Sequence, residues 1–377
     1  MDAYTGERTE RSRRGGCGYR KRMVGNDRWA LRVWRTKSSS MRCERFSERI
    51  YEADFLGFSY GFRPGRGAHD ALDALSVAVT RRRVNWVVDA DVAGFFDTID
   101  HDQLLSLLQR RIGDRRLLRL IQQWLAAGVV EAGKWSRGRV GTPQGAVISP
   151  LLANVYLHYV LDEWIHAWRR HAGGDVVVVR YADDFVLGFE HRQEAEACLE
   201  ALKQRLSSYG LSLHEGKTRL LEFGRFAIDR RRRRGDGRPE TFDFLGFTHQ
   251  CVIRKGRFVV RRQSSSKRLR RTLQATCQSL RRRMHRPLAE TAIWLRRVVQ
   301  GWMNYHAVPG NYRRVCRFLD EVTRLWLKVL RRRSQRGRRG WPWSRMHRLV
   351  RRVLPRPRLL HPFPEVRFHL RHKAGAV

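Results

Sequence analysis

Residues 175–189 contain two short, valine-rich segments separated by an acidic turn. The segments Asp175–Arg180 and Phe185–Phe189 have the length and the β-branched composition of strands. The four residues between them are Tyr181-Ala182-Asp183-Asp184, and so short a connection makes the pair an antiparallel β-hairpin. The sequence therefore predicts an antiparallel sheet in which one hairpin carries carboxylates at its tip.

Asn85–Val92 reads as a third, buried strand that is apolar except for Asp89 and Asp91. A lone buried carboxylate is unfavourable by several kcal/mol unless it is paired or binds a metal. If Asp91 converges with the hairpin carboxylates, two Mg²⁺ ions about 3.5–4 Å apart would relieve the repulsion and support in-line phosphoryl transfer. The alternative is a solvated hairpin tip and a salt-bridged strand aspartate, and spacing alone does not decide between them.

Two kinds of pattern divide the chain. Helices alternate with strands up to about residue 262, and only helical patterns follow, at 264–283, 288–306, 312–333 and 342–353. We therefore predict an α+β fold followed by an all-helical region. The predicted parts are a basic, poorly ordered segment 1–43, an α+β part 44–262, a helical part 263–354 and an extended, Pro-rich basic tail 355–377.

The charge of the chain changes close to the same junction. The formal net charge is +41; residues 1–223 hold 35 basic and 28 acidic residues, whereas residues 224–377 hold 42 and 8. Such an excess opposes compaction unless a polyanion neutralises it, and nucleic acid is the natural partner. The hydrophobic content of 42% excludes a disordered basic tail. No apolar run approaches the roughly 18 residues of a membrane helix, and the six scattered cysteines favour a reducing, intracellular location.

Six ordered sequence blocks resemble bacterial group II intron-encoded proteins, which are reverse transcriptases and splicing maturases. The blocks are Tyr60–Leu72 (YGFRPGRGAHDAL), Val88–His101 (VDADVAGFFDTIDH), Gly141–Leu157 (GTPQGAVISPLLANVYL), Tyr181–Asp184 (YADD), Gly210–Arg225 (GLSLHEGKTRLLEFGR) and Phe242–His249 (FDFLGFTH). The resemblance covers about residues 44–370. It implies the fingers and palm of a right-hand polymerase, with an antiparallel sheet and the YADD hairpin, before a helical thumb and maturase domain.

The resemblance also implies the roles of individual residues in catalysis. Asp91, Asp183 and Asp184 would be the catalytic acids and would hold two Mg²⁺ ions with the carbonyl of Val92. The nucleotide-binding residues would be Phe96 as a gate against the ribose 2′-OH, Gln144 beside the incoming nucleotide, and Lys217 near the leaving pyrophosphate. The alternatives are a core phenylalanine for Phe96, a glycine-rich turn around Gln144 and a solvated surface lysine for Lys217.

Arginines supply the expected contacts with nucleic acid. Arg63 and Arg66 in the FRPGR turn are candidates for template or primer phosphates. Two runs in the helical part, Arg281–Arg283 and Arg331–Arg333, are candidates for RNA. Arg230–Arg234 is expected to form a flexible loop that contacts phosphates. Solvated surface arginines are the competing interpretation for all of these.

The expected function is RNA-directed DNA synthesis combined with binding of intron RNA during splicing and mobility. The partners would be intron RNA, an RNA template with a DNA primer, dNTPs and a DNA target site, in the bacterial cytoplasm in association with the nucleoid or a ribonucleoprotein. Residues 1–43 do not resemble the family's N-terminal fingers block, and Ala146 replaces a usual glycine. The alternative is therefore a non-catalytic RNA-binding maturase, or a truncated and inactive copy.

Overall fold

The computed structural model describes residues 48–126, 129–131, 134–136, 148–334 and 337–371. The elements of the first part are α1 (Ala68–Arg81), β1 (Trp86–Asp91), α2 (Phe95–Thr98), α3 (His101–Gln109), α4 (Arg115–Ala126), β2 (Val129–Glu131), β3 (Lys134–Ser136), α5 (Ser149–Leu157), a π-helix (His158–Asp162), α6 (Glu163–Trp168), β4 (Val176–Tyr181), β5 (Asp184–Phe189), α7 (Arg192–Ser207), β6 (Arg219–Glu222), α8 (Ala227–Arg233), β7 (Phe242–Phe244), β8 (Phe247–Arg254) and β9 (Arg257–Ser264). The predicted combination of helices and antiparallel sheets is confirmed.

The remaining described elements are helical. They are α9 (Ser266–Arg282), α10 (Leu288–His306), α11 (Tyr312–Arg331), α12 (Gly337–Gly340), α13 (Trp343–Val353) and α14 (Pro364–Arg371). The helices α9, α10, α11 and α13 lie within one or two residues of the segments predicted from apolar periodicity. Their core is built around Trp302, Phe318 and Trp326, and the Trp302 and Phe318 rings stack with centroids 4.4 Å apart.

A four-stranded antiparallel sheet in the order β4-β5-β1-β6 lies at the centre of the α+β part. Its strands are apolar on both faces because both faces are covered. Val88 packs into a core with the helices α3 to α7, whereas its neighbour Val87 packs on the opposite face, with α1 and the second sheet β7-β8-β9. Side chains alternate across a strand, so Asp89 and Asp91 point to the same face as Val87.

The helical segment from Ser149 to Trp168 is interrupted by one π-helical turn. Its N-cap is Ile148, so Ser149 is the first helical residue and Pro150 lies in the first turn. At His158–Asp162 the amide of Glu163 donates to the carbonyl of His158, five residues back. All five residues of the π-turn are buried. Single π-turns inside helices are frequent at functional sites.

Two local predictions are wrong. The tail is not extended throughout, because Pro364–Arg371 forms a helix against α1 in which Arg367 donates to Asp70 at 2.8 Å. The arginines 230–234 do not form a loop, since Ala227–Arg233 is helical. Buried Glu222 pairs with two of them, Arg230 and Arg234, and favours the helix. Within the described ranges, no helix has the length and apolar character needed to cross a membrane.

Candidate active site

The three candidate catalytic carboxylates lie together at one end of the central sheet. Strands β1 and β5 pair so that Asp91 lies directly opposite Asp184, and β4 pairs with β5 so that Tyr181 also lies opposite Asp184. Residues opposite one another in an antiparallel pair point to the same face. Asp183 lies in the turn between β4 and β5. The sheet therefore brings together aspartates that are more than 90 residues apart in the sequence.

The turn that carries Asp183 has an uncommon backbone conformation. Ala182 has a left-handed φ of 58°, which is unfavourable for a residue with a Cβ atom and persists only where the surroundings enforce it. Ala182 is also buried, and the backbone of Gly61 packs directly against it. A Cβ atom on Gly61 would lie 2.2 Å from the amide nitrogen of Ala182, so only glycine fits there.

Burial and neighbouring carboxylates raise the pKa of Asp183 and Asp184. Desolvation, followed by repulsion from Asp183, Asp91 and Asp89, raises the pKa of Asp184 to about 6 although its side chain is partly open to solvent. Desolvation also raises the pKa of Asp183, and the charge of Asp91 adds to the effect. A site that disfavours several adjacent negative charges is suited to a cation. The ammonium group of Lys217 bonds to the Asp91 carboxylate and supplies part of this counter-charge.

Asp91 and Asp184 line a cleft of about 410 Å³. Its lining includes four charged residues that the sequence interpretation did not assign to a site, namely Asp89, Arg219, Asp243 and Lys267. Asp89 pairs with Arg219 at 3.2 Å across β1 and β6. Burial raises the pKa of Asp89, which the Arg219 guanidinium opposes. The alternation of β1, which puts Asp89 two residues before Asp91, was the signal that could have identified Asp89.

A profile of the family described as reverse transcriptase (RNA-dependent DNA polymerase) matches residues 33–249, more than half of the chain. The chain belongs to the reverse transcriptase family. This assignment agrees with an antiparallel sheet that carries paired aspartates.

Relatives of this reverse transcriptase family member include proteins encoded in introns. It is 42% identical over 118 residues to the group II intron-encoded protein LtrA of Lactococcus lactis, covering 31% of this chain and 19% of that protein. It is 44% identical over 118 residues to an uncharacterized 91 kDa protein in the cob intron of Schizosaccharomyces pombe, covering 31% and 14%. It is 33% identical over 210 residues to the protein YkfC of Escherichia coli, covering 46% and 54%. The chain thus spans about half or less of the length of these relatives.

Solved structures of telomerase are also similar to this reverse transcriptase family member. The telomerase of Candida albicans, solved with a fragment of telomeric RNA, aligns with a TM-score of 0.48 and 11% identity. The alignment covers 87% of this chain and 55% of the telomerase chain.

The nucleotide-binding candidates have different positions relative to the carboxylates. Phe96 is half-buried at the start of α2, and its ring meets Phe95 edge-on with centroids 5.3 Å apart. Gly94, with a left-handed φ of 54°, turns the chain sharply from β1 into this helix. Lys217 is in direct contact with Asp91. Gln144 lies outside the described residues.

The carbonyl of Val92 lies at the end of β1 next to the carboxylates. Val92 forms an isolated antiparallel bridge with Leu213. The two bonds that flank this bridge run from the Ala93 amide to the Ser212 carbonyl and from the His214 amide to the Asp91 carbonyl. Neither of these hydrogen bonds uses the Val92 carbonyl. Its position is therefore compatible with a role as a metal ligand.

The oxygen-rich donor set of the cleft suits Mg²⁺ better than a softer metal. Among the residues that the structure describes, no group of three or more His, Cys, Asp or Glu side chains is arranged to hold a metal ion by itself. Mg²⁺ is usually held by one or two carboxylates and completed by substrate phosphates. Burial and then repulsion raise the pKa of Asp184, and this environment fits an ion whose coordination is completed by the phosphates of a nucleotide.

The position of Arg63 argues against the prediction that it contacts template or primer phosphates. Arg63 is buried, and its guanidinium bonds to the Glu52 carboxylate at 2.7 Å and to the carbonyls of Leu56 at 2.7 Å and Ser59 at 2.9 Å. These contacts hold the FRPGR turn in place and leave the group inaccessible to phosphate. Arg66 is less buried and bonds to the Gly57 carbonyl at 2.7 Å, so it also supports this turn.

The two arginine runs of the helical part meet in the structure. The Arg333 guanidinium bonds to the carbonyls of Met284 and Arg286, one and three residues after the end of the first run. Two further members support the fold, since Arg283 lies over the Trp294 ring at 5.0 Å and Arg331 bonds to the Trp341 carbonyl at 3.0 Å. The members exposed to solvent are Arg281, Arg282 and Arg332.

Proposed function

We propose that this chain is an RNA-directed DNA polymerase that also binds group II intron RNA to assist splicing and mobility. The single observation that carries the proposal is the register that places Asp91 opposite Asp184, with Asp183 in the adjoining turn. Membership of the reverse transcriptase family and similarity to intron-encoded proteins support it. The proposed partners are an RNA template with a DNA primer, dNTPs, intron RNA and a DNA target site, in the bacterial cytoplasm with a ribonucleoprotein or the nucleoid.

In this mechanism Asp91, Asp183 and Asp184 would hold two Mg²⁺ ions, assisted by the Val92 carbonyl. When bound, the ions supply charge that stabilises the attacking and leaving oxygens of phosphoryl transfer. The primer 3′-hydroxyl attacks the α-phosphate of the dNTP and pyrophosphate leaves. Lys217 stands beside Asp91, and its ammonium group can turn towards the departing pyrophosphate as general acid or counter-charge. Phe96 would exclude the ribose 2′-hydroxyl.

The experiment that tests this proposal is primer extension on poly(rA)/oligo(dT) with Mg²⁺. We expect the wild-type chain to extend the primer and Asp183→Ala to reduce extension to background, because a metal ligand is lost. Asp236→Ala is the matched control, since Asp236 is an exposed aspartate paired with Arg234. Extension by Asp183→Ala at the control rate would refute the assignment.

A second candidate function is RNA binding without polymerisation. The observation that favours it is the meeting of the two arginine runs, which presents Arg281, Arg282 and Arg332 to solvent in the helical part. Binding through phosphates should weaken steeply with salt, because each neutralised phosphate releases counterions. RNA affinity that is equal in wild type and Asp183→Ala, without primer extension by either, would select this candidate. Affinity that barely changes between 50 and 200 mM salt would refute phosphate-mediated RNA binding.

A further inference from the structure

A buried arginine lies directly behind the turn that carries the catalytic aspartates. Arg180 is the last residue but one of β4, and its side chain is fully buried. By strand alternation it points to the face of the sheet opposite to Asp184. Arg180 therefore cannot touch substrate in the cleft, and any influence on catalysis must act through the turn.

The guanidinium of Arg180 uses all five of its N–H groups. Two bonds go to the carboxylate of Asp162, at 2.7 and 2.5 Å, and one goes to the Ser59 hydroxyl at 2.7 Å. The remaining two, both 3.0 Å long, go to the Asn154 side-chain oxygen and to the backbone carbonyl of Ala182. One side chain thus connects the π-helix, α5, the segment before the FRPGR turn and the YADD turn.

The bond to Ala182 fixes the peptide plane that leads into Asp183. Because the carbonyl of Ala182 points back to Arg180, the direction of the Asp183 backbone is set as well. The same turn is held from a second side, where Asn154 donates to the Gly61 carbonyl at 2.6 Å and Gly61 packs against Ala182. The left-handed φ of Ala182 is therefore maintained by a closed set of buried contacts.

The π-turn explains how two residues of one helix reach the same guanidinium. Asn154 and Asp162 are eight residues apart, and in a regular α-helix they would face directions about 80° apart. A π-turn accommodates one extra residue, so the two point as if seven residues apart, within about 20° of one another. Both accept bonds from Arg180. Without the π-turn, Asp162 would rotate away and the buried guanidinium would lose its counter-charge.

We propose that Arg180 and Asp162 form a positioning pair that holds the YADD turn in the geometry required by the metal-binding aspartates. This inference rests on the proposed polymerase function for its catalytic consequence. The pair is more than general core stabilisation, because a buried ion pair contributes little net stability compared with apolar packing. Its retention is explained by the direction that it imposes on Ala182 and Asp183.

The test compares two buried aspartates that pair with arginine. Asp162→Asn removes the charge opposite Arg180 and keeps the side-chain size. The matched control is Asp73→Asn, because Asp73 and Arg262 also form a buried pair, 2.7 Å apart, that does not contact the turn. Hydrogen exchange of the segment 181–184, thermal unfolding and the Mg²⁺ dependence of primer extension are measured for both.

We expect both variants to melt at similarly lowered temperatures. Only Asp162→Asn should speed amide exchange in residues 181–184, by about tenfold or more, and lower the extension rate about 10–100-fold with a higher Mg²⁺ requirement, as for other residues that orient metal ligands. Equal changes in the two variants, or unchanged exchange in Asp162→Asn, would overturn the inference. Absence of extension by wild type would refute the polymerase proposal, while the exchange comparison would still decide the positioning role.

A double variant keeps the test decisive if Asp162→Asn fails to fold. Arg180→Met with Asp162→Leu replaces the ion pair by apolar side chains, an exchange that is often neutral or stabilising. We expect this variant to fold while its residues 181–184 exchange about tenfold faster than wild type. Restored stability together with wild-type exchange would show that the pair only fills the core.

Discussion

Replacing Arg63 by Ala should destabilise the fold without weakening RNA binding. Arg63 is 5% exposed, and its guanidinium bonds to Glu52 and to the carbonyls of Leu56 and Ser59. It also lies over the Phe55 ring at 5.2 Å. The substitution removes the donor of the Glu52 carboxylate. It also removes one of two donors to each carbonyl, since Leu56 accepts from the Ser59 amide at 3.1 Å as well and Ser59 from Arg66 at 3.3 Å.

The expected loss follows from the exposure of the two partners. Removing one member of a fully buried ion pair costs about 3–5 kcal/mol. The Glu52 side chain is 32% exposed, so water can recover part of its solvation, and we expect a loss near 3 kcal/mol. For the α+β part that contains Arg63, a loss of 1 kcal/mol lowers the midpoint of thermal unfolding by roughly 2–4 °C. The midpoint should therefore fall by roughly 6–12 °C.

The assay combines urea and thermal unfolding with RNA binding at several salt concentrations. Arg63→Lys keeps the charge but loses the planar fork, so it should recover only part of the stability. Arg83→Ala is the control for loss of a positive charge, because the Arg83 side chain is 77% exposed. Its unfolding midpoint should stay close to that of wild type.

One result would refute this reasoning. If Arg63→Ala leaves the unfolding midpoint unchanged and makes the slope of log affinity against log salt shallower by about one, Arg63 contacts a phosphate. The guanidinium would then be accessible to nucleic acid and would not stabilise the FRPGR turn.

Three further changes test other contacts. Lys217→Met removes the partner of Asp91, and we expect single-turnover extension to slow about 100-fold or more with RNA affinity unchanged; an unchanged rate would exclude a role for the ammonium group. Burial lowers the pKa of His249 to about 3, so the unfolded chain takes up a proton near pH 6.5 while the native state does not. The free energy of unfolding should therefore fall as the pH drops from 6.5 towards 3, and urea titrations of His249→Phe should show a smaller fall than wild type. Arg367→Ala should speed chymotryptic cleavage at Phe368, because the bond of α14 to Asp70 is lost; cleavage at the wild-type rate would contradict this docking.

Local patterns predicted much of the framework. Valine-rich segments around 175–189 became β4 and β5, and apolar periodicity predicted α10 as 288–306, with the bounds that the structure has. Aspartate is a favoured N-cap residue, and Asp100 caps α3, where its side chain accepts a hydrogen bond from the Gln103 amide. These features depend on near neighbours along the chain, and the periods of strands and helices record them directly.

The sequence by itself determined which residues carry carboxylates, which segments form strands and helices, and where the excess charge lies. Only the tertiary structure decided which arginines are available to phosphates. Arg63 and Arg66 lie in one short motif, yet the first is buried against Glu52 and the second is partly exposed. The partner side chains of Arg180 lie 18, 26 and 121 residues away, so no local pattern could show them. A guanidinium is chemically the same at the surface and in the core, and its role depends on what the folded chain places around it.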